Sequence, residues 1–401
     1  MPYDFNEPVD RRRTGSMKWD GASLRLTPQQ AAADPLPMWV ADMDFRVAEP
    51  IVQALQRRIA HGVFGYTDVP GSMVEAVLRW QEERYAWRAQ ARWLLHSPGV
   101  VNALDMAIQT FTRPGEHVMM LSPVYIHFHH DVIINGRRAI QVPLVLQPDG
   151  RYRFDAEAFE AAIVPGTRLF ILSNPHNPTG NVWTREELAQ MGSICLRHGI
   201  IVVSDEIHQD LVFGEGEAHH AYGRLDDELV QNAIICTAPS KTFNLAGLQC
   251  ANLFIPNDRL RADYRAAAER CGLGRPNQMG IAACEAAYSQ CGDWADQMLR
   301  HVKDNQAYFR AEAEARRLPV RVSPMSSLYL AWLDFRELGM EADALHDFLL
   351  REARLWLDPG TKFGAGGAGF MRINLGCPRQ TVELALDRLA QALGTRKASA
   401  G

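Results

Sequence analysis

The chain has 401 residues, 47% of them hydrophobic and 22% charged, with 42 Lys+Arg against 47 Asp+Glu for a net charge of −5. That is ordinary soluble globular composition, and a chain of this length builds an extensive core without disulfides or structural metals. The slight acidity supplies no broad positive field for nucleic acid or an anionic membrane, which leaves small-molecule chemistry as the leading class.

In chain order, the first 50 residues include Arg11-Arg12-Arg13, but Thr14 to Leu26 is polar and gives no apolar core for an export signal. No run of about 18 apolar residues reads as a membrane span. The seven cysteines form no CxxC pair, and several sit in apolar runs such as Ala233-Ile234-Ile235-Cys236, as reduced buried thiols do. A cytoplasmic location is expected. Segment 1–50 is short and Pro-rich, so it is expected to pack on a C-terminal unit rather than fold alone. Between about residues 90 and 260, inside a large domain expected over 51–288, apolar runs alternate with helical patterns, the α/β rhythm. Strands are predicted at His117 to Leu121, Arg168 to Ser173, Ile200 to Ser204, Ala233 to Ala238 and Ala251 to Ile255, and such apolar runs belong to strands covered on both faces. Thr184-Arg185-Glu186-Glu187 has capping-box spacing and opens a crossover helix carrying Leu188, Met191 and Leu196. Over 289–395 the pattern is a smaller α+β unit: a helix from Asp293 to Arg317, a strand from Leu328 to Asp334, a helix from Ala342 to Arg354, a strand from Phe370 to Asn374 and a last helix from Gln380. A disordered tail, 396–401, is expected to follow.

Two patterns imitate known sites. Gly364-Ala365-Gly366-Gly367-Ala368-Gly369 matches GxGxxG, yet it precedes a strand instead of following one and opening a helix, so it reads as a loop. His127, His129 and His130 cluster without a familiar ligand spacing, and His219-His220 lies in a Gly/Glu-rich loop; no metal is expected.

Four other pieces place functional groups at predicted strand ends or a helix start, where open α/β sheets collect ligands. Ser97-Pro98-Gly99-Val100-Val101 enters a helix whose unpaired N–H groups suit a phosphate. Ser173-Asn174-Pro175-His176-Asn177-Pro178-Thr179-Gly180 is a rigid loop presenting Asn177 as an amide donor. Val202-Val203-Ser204-Asp205-Glu206-Ile207-His208 carries Asp205 into a desolvated crevice, where a carboxylate needs a partner, with His208 aimed the same way. Ser240-Lys241-Thr242 follows an apolar strand and puts an ammonium group at its end. A lysine, a carboxylate for a ring nitrogen, an amide for a ring oxygen and a phosphate cradle are together what pyridoxal 5′-phosphate requires.

In order and spacing, Asn-Pro-His-Asn-Pro-Thr-Gly, Ser-Asp-Glu-Ile-His and Ser-Lys-Thr-Phe-Asn-Leu-Ala-Gly resemble the fold-type I enzymes related to aspartate aminotransferase. Trp39-Val40-Ala41-Asp42-Met43-Asp44-Phe45 and Phe64-Gly65-Tyr66-Thr67 resemble the cystathionine β-lyase branch of bacterial carbon–sulfur lyases. The resemblance implies a seven-stranded, mostly parallel sheet with one antiparallel strand and helices on both faces, plus a smaller discontinuous α+β domain. It implies pyridoxal 5′-phosphate as cofactor and a homodimer with active sites at the subunit interface. By position, Lys241 would carry the cofactor and move the substrate's α-proton, Asp205 would pair with the ring nitrogen, and Asn177 and His208 would hold the ring oxygen. Tyr125 would stack on the ring, and Val100, Val101 and Ser240 would hold the phosphate, joined by Tyr66 from the other subunit. Arg372 would grip the substrate carboxylate through its planar fork, and Trp39, Asp42 and Tyr66 would wall the substrate. Gln249 stands eight residues after Lys241, where many such enzymes carry arginine, so the phosphate lacks that charge.

The expected reaction is β-elimination from an L-amino acid with a sulfur leaving group, giving thiol, pyruvate and ammonia. Transamination with a 2-oxo acid shares the early steps, and a non-catalytic regulator on the same scaffold is a third reading.

Overall fold

Seven strands form the central sheet: β1 Leu94–Ser97, β2 His117–Ser122, β3 Arg138–Pro143, β4 Thr167–Ser173, β5 Ile201–Asp205, β6 Ala233–Thr237 and β7 Ala251–Phe254. They belong to a computed structural model that describes residues 3–273 and 275–400. The spatial order is β1-β7-β6-β5-β4-β2-β3. β7 runs antiparallel to both neighbours, while every other adjacent pair is parallel. The sheet therefore has the expected mostly parallel form with one reversed strand.

Alternate residues of the inner strands feed two separate cores. Phe170, Leu172, Val202 and Ile235 enter one, and Leu169, Ile171, Val203 and Ile234 enter the other. Burial on both faces explains why these strands read as nearly continuous apolar runs. The sheet's two edges, β1 and β3, escaped the strand prediction because β1 has four residues and β3 carries Arg138, Gln141 and Pro143, the polar and Pro-containing sequence of an edge.

Between β4 and β5, the helix Arg185–Arg197 has the predicted capping box. Thr184 Oγ1 accepts from the Glu187 N–H at 3.1 Å, and the Glu187 carboxylate accepts from the Thr184 N–H at 2.9 Å. Because β4, β5 and β6 are parallel, their C-terminal ends lie along one edge. The register sets Ser173 beside Asp205 and Asp205 beside Cys236, so Lys241 follows five residues beyond that row.

The C-terminal part begins with the helix Gly292–Ala315 and continues into β8 Arg321–Val322, β9 Leu330–Asp334, β10 Asp358–Pro359 and β11 Phe370–Asn374, in the order β8-β9-β11-β10. β9 starts two residues later than expected because Leu328 has a left-handed backbone, φ +72°. The helix Ala342–Arg351 stops before Arg354, itself at φ +51°. Leu36–Pro37 pairs parallel with Leu355–Trp356, and Phe5 meets Trp294 edge-on, so the N-terminal segment contacts this C-terminal part. The glycine stretch 364–369 leads through a turn directly into β11, with Gly364 and Gly369 at positive φ and no helix after it. The last helix, Arg379–Ala400, extends into the segment expected to be a disordered tail; Ala, Arg and Lys there are strong helix formers. Among the described residues, no helix is long and apolar enough to cross a membrane.

Candidate active site

A cleft of about 780 Å³, counting its open mouth, lies at the C-terminal ends of β4, β5 and β6. That is an ordinary size for a small-molecule site. Asn177, Asp205, His208, Ser240 and Lys241 line it, facing Val100, Val101 and Tyr125 across the opening. Eight residues picked out from separate sequence motifs thus line one cleft.

Asp205 ends β5 with its carboxylate almost fully buried. It accepts one hydrogen bond, from the Ile207 N–H at 3.1 Å. Burial pushes its pKa up to about 7, against the pull of the Ile207 N–H and the Lys241 charge. A carboxylate in this condition is primed for a cationic N–H partner. Lys241 follows β6, and its Nζ donates to the Ala41 carbonyl at 2.7 Å. Burial, then the Arg372 charge, bring its pKa down to about 8, with Asp42 and Asp205 opposing. Near neutral pH an appreciable share of this amine is unprotonated, as a nucleophile or base requires. His208 is also buried; desolvation and the charges of Lys241 and Arg372 keep its pKa well below the usual imidazole range, and its Nδ1 has no partner.

At the far end, the helix Val100–Phe111 begins from Gly99, which offers no side-chain cap. Its first N–H groups and the helix dipole therefore face the cleft as an anion site, with Ser240 and Gln249 alongside. Among the described lining residues, Lys241 is the one lysine or arginine. Tyr125 sits just before the helix Ile126–Ile134, and burial pushes its phenol up to about 12.

Arg372, on β11, enters from the C-terminal part. Its Nη1 donates to Asn177 Oδ1 at 3.0 Å, and its Nη2 donates to Asp358 at 2.8 Å and to the Trp39 carbonyl at 3.2 Å. The buried Nε has no partner. Three of the guanidinium's five N–H groups thus fix its direction, leaving the Nε–H and one Nη1–H unspent beside Asn177.

Arg372 meets the cleft through Asn177 and is not itself in the lining, and the other expected residues also lie apart from it. The Trp39 ring stacks on Trp356 with centroids 4.6 Å apart, and only its carbonyl turns towards Arg372. The Asp42 carboxylate is taken by Arg11, at 2.7 and 3.1 Å. Tyr66 is wholly exposed on the connection between helices Glu49–His61 and Gly71–Tyr85, beside the exposed Val63 and Phe64, and within one chain it lies outside the cleft.

Sequence reasoning overlooked the backbone of residues 39–43. The Ala41 carbonyl accepts from both Lys241 and the Tyr329 hydroxyl, and Asn374 Nδ2 donates to the carbonyls of Val40 and Asp42. No motif signals a carbonyl's role. This segment is anchored by Asp44, which accepts from Lys18 at 2.6 Å, Arg11 at 2.7 Å and Trp19 Nε1 at 2.9 Å. Burial alone would raise the Asp44 pKa, but those three partners hold it below the usual carboxylate range. Lys18 is only 1% exposed. Lys18→Met is therefore expected to cost about 3 kcal/mol or more in urea unfolding, the penalty of leaving a buried charge short of its partner; a loss under about 1 kcal/mol would show that Arg11 and Trp19 suffice.

The model of class I and II aminotransferases matches residues 36–389. The chain belongs to that family. This aminotransferase-family protein is 42% identical to the cystathionine beta-lyase PatB of Bacillus subtilis, over 97% of its own length and all of the relative's. Among solved structures it is similar to a pyridoxal-phosphate-bound putative aminotransferase from Clostridium difficile (TM-score 0.93, 36% identity, 98% of this chain and 100% of that one). It is equally similar in shape to cystalysin from Treponema denticola, which contains a pyridoxal 5′-phosphate cofactor (TM-score 0.93, 31% identity, 99% and 100%).

Proposed function

We propose that the chain is a pyridoxal 5′-phosphate-dependent carbon–sulfur β-lyase, cleaving L-cystathionine or a related S-substituted L-cysteine to a thiol, pyruvate and ammonia. The observation that carries this reading is that one cleft holds both the Lys241 amine, bonded only to the Ala41 carbonyl, and a buried Asp205 carboxylate that has a single backbone donor. The relationship to a cystathionine beta-lyase over the full length of both chains supports it.

The residues present fit that cofactor: Asp205 lacks a cationic partner, His208 Nδ1 lacks any, and the helix at Val100 offers free N–H groups. When bound, the cofactor supplies a sink for the electron pair left on the substrate's α-carbon. Asp205 would hold the ring nitrogen protonated, Asn177 and His208 would hold the ring oxygen, and Tyr125 would lie against the ring. Val100, Val101 and Ser240 would hold the phosphate. Lys241 would carry the cofactor at rest and take the α-proton during turnover, its lowered pKa making it a competent base near neutrality. Arg372 would receive the substrate carboxylate through its unspent N–H groups, while Asp358 and Asn177 keep the guanidinium still. We place Tyr66 in the neighbouring active site of a homodimer; the exposed Val63, Phe64 and Tyr66 are apolar surface of the kind a partner covers. A cytoplasmic location accords with cysteines that are free and, apart from Cys271, buried.

Amino transfer would use the same groups up to removal of the α-proton. Incubation of purified protein with cystathionine separates the two: pyruvate and free thiol are expected in equal amounts without added 2-oxo acid. Turnover that requires a 2-oxo acid and releases no thiol would replace the lyase reading.

A further inference from the structure

The helix Ile126–Ile134, which starts immediately after Tyr125, carries a cluster that the reaction does not use. His127 and Asp131 lie one turn apart on the same helix face, and His130 adjoins them. His127 Nδ1 stands 3.0 Å and His130 Nδ1 3.1 Å from the same oxygen, Asp131 Oδ1, and the three ligand atoms fall within 4.8 Å of one another. Asp131 is 2% exposed, yet its second oxygen, Oδ2, has no hydrogen-bond partner. The two imidazoles are more open, with 39% and 55% of their side chains exposed, so the cluster is reached from solvent.

We propose that His127, His130 and Asp131 form a binding site for a divalent transition cation of the zinc type. Ligand bonds of about 2.0–2.1 Å in a tetrahedral shell put neighbouring donor atoms about 3.3 Å apart, close to the two nitrogen–oxygen separations here. Two imidazoles and one carboxylate favour zinc, cobalt or nickel over magnesium or calcium, which seek oxygen ligands. The fourth position opens to solvent through the exposed histidines. A nearby carboxylate, Asp105, adds negative charge: it accepts from Asn135 Nδ2 at 2.8 Å, and burial together with the Asp131 charge raises its pKa. A cation would relieve that repulsion. The Tyr125 ring lies 5.1 Å from the His127 ring, so an occupied site would brace the helix beside the cleft wall.

The test is titration of the tag-free holoenzyme with zinc by calorimetry and with cobalt by visible absorption. One saturable zinc site per chain is expected, not displaced by excess magnesium, together with the ligand-field bands of low-coordinate cobalt. The double variant His127→Gln, His130→Gln is expected to lose about 100-fold or more in zinc affinity while keeping the cofactor's absorbance. Should that variant fail to fold, the exposed single change His130→Gln is the substitute and is expected to weaken binding at least about tenfold. Absence of saturable zinc binding in the parent, or undiminished affinity in the folded variant, overturns the proposal.

Discussion

Lys241→Ala is expected to reduce turnover by about 10⁴-fold or more and to remove the cofactor's protein-bound absorbance band, while leaving the fold intact. The amine acts twice in the proposed reaction, as the attachment point and as the base, and among the described residues no second lysine lines the cleft. The fold survives because the ammonium is held in an unfavourable environment: burial and Arg372 lower its pKa, so removing it takes away a cost. Its carbonyl acceptor at Ala41 keeps the Tyr329 hydroxyl as donor. Activity, absorbance and thermal melting together check the prediction. Activity within about tenfold of the parent would mean that another group does this work.

Asp205→Asn is expected to lower turnover by about 10³-fold, through loss of the charge that keeps the ring nitrogen protonated, without destabilising the cofactor-free chain. The sign follows from linkage. An unfolded aspartate titrates near about 3.9, whereas burial holds Asp205 up to about 7 in the fold. The ionised form is thus penalised in the folded state, and the chain loses stability as pH rises through the interval from about 4 to about 7. Asparagine carries no such penalty, so the cofactor-free variant should match or exceed the parent's stability at pH 8 and resemble it at pH 4. Melting curves at the two pH values measure this. A variant clearly less stable at pH 8 would show that the native carboxylate has a stabilising partner in the fold, contrary to its single contact with the Ile207 N–H.

The cleft was readable in the sequence where a side chain lies within a few residues of an apolar strand. Asp205 closes such a run and Lys241 follows another, so the parallel register of β4, β5 and β6 brings them together with little further information. Asn177 was readable because the Pro and Gly residues around it fix its loop. Other parts left no local trace. The Ala41 carbonyl, which receives Lys241, could be any residue's carbonyl, and Asp358 meets Arg372 only through the antiparallel pairing of β10 with β11. Asp42 stood out as a candidate on the substrate wall, yet its carboxylate is bound by Arg11, a contact 31 residues away in sequence. The edge strands β1 and β3 were missed for want of burial on both faces, and the end of the helix Ala342–Arg351 turns on one left-handed residue that the helical pattern overrode.

The central claim is that one lysine, at the end of β6, holds the cofactor. Borohydride treatment of the holoenzyme, which fixes a lysine-bound cofactor permanently, followed by peptide mass mapping tests this most directly. The pyridoxyl mass is predicted on Lys241; finding it instead on Lys18, Lys303, Lys362 or Lys397, or on no lysine of the active holoenzyme, would contradict the account.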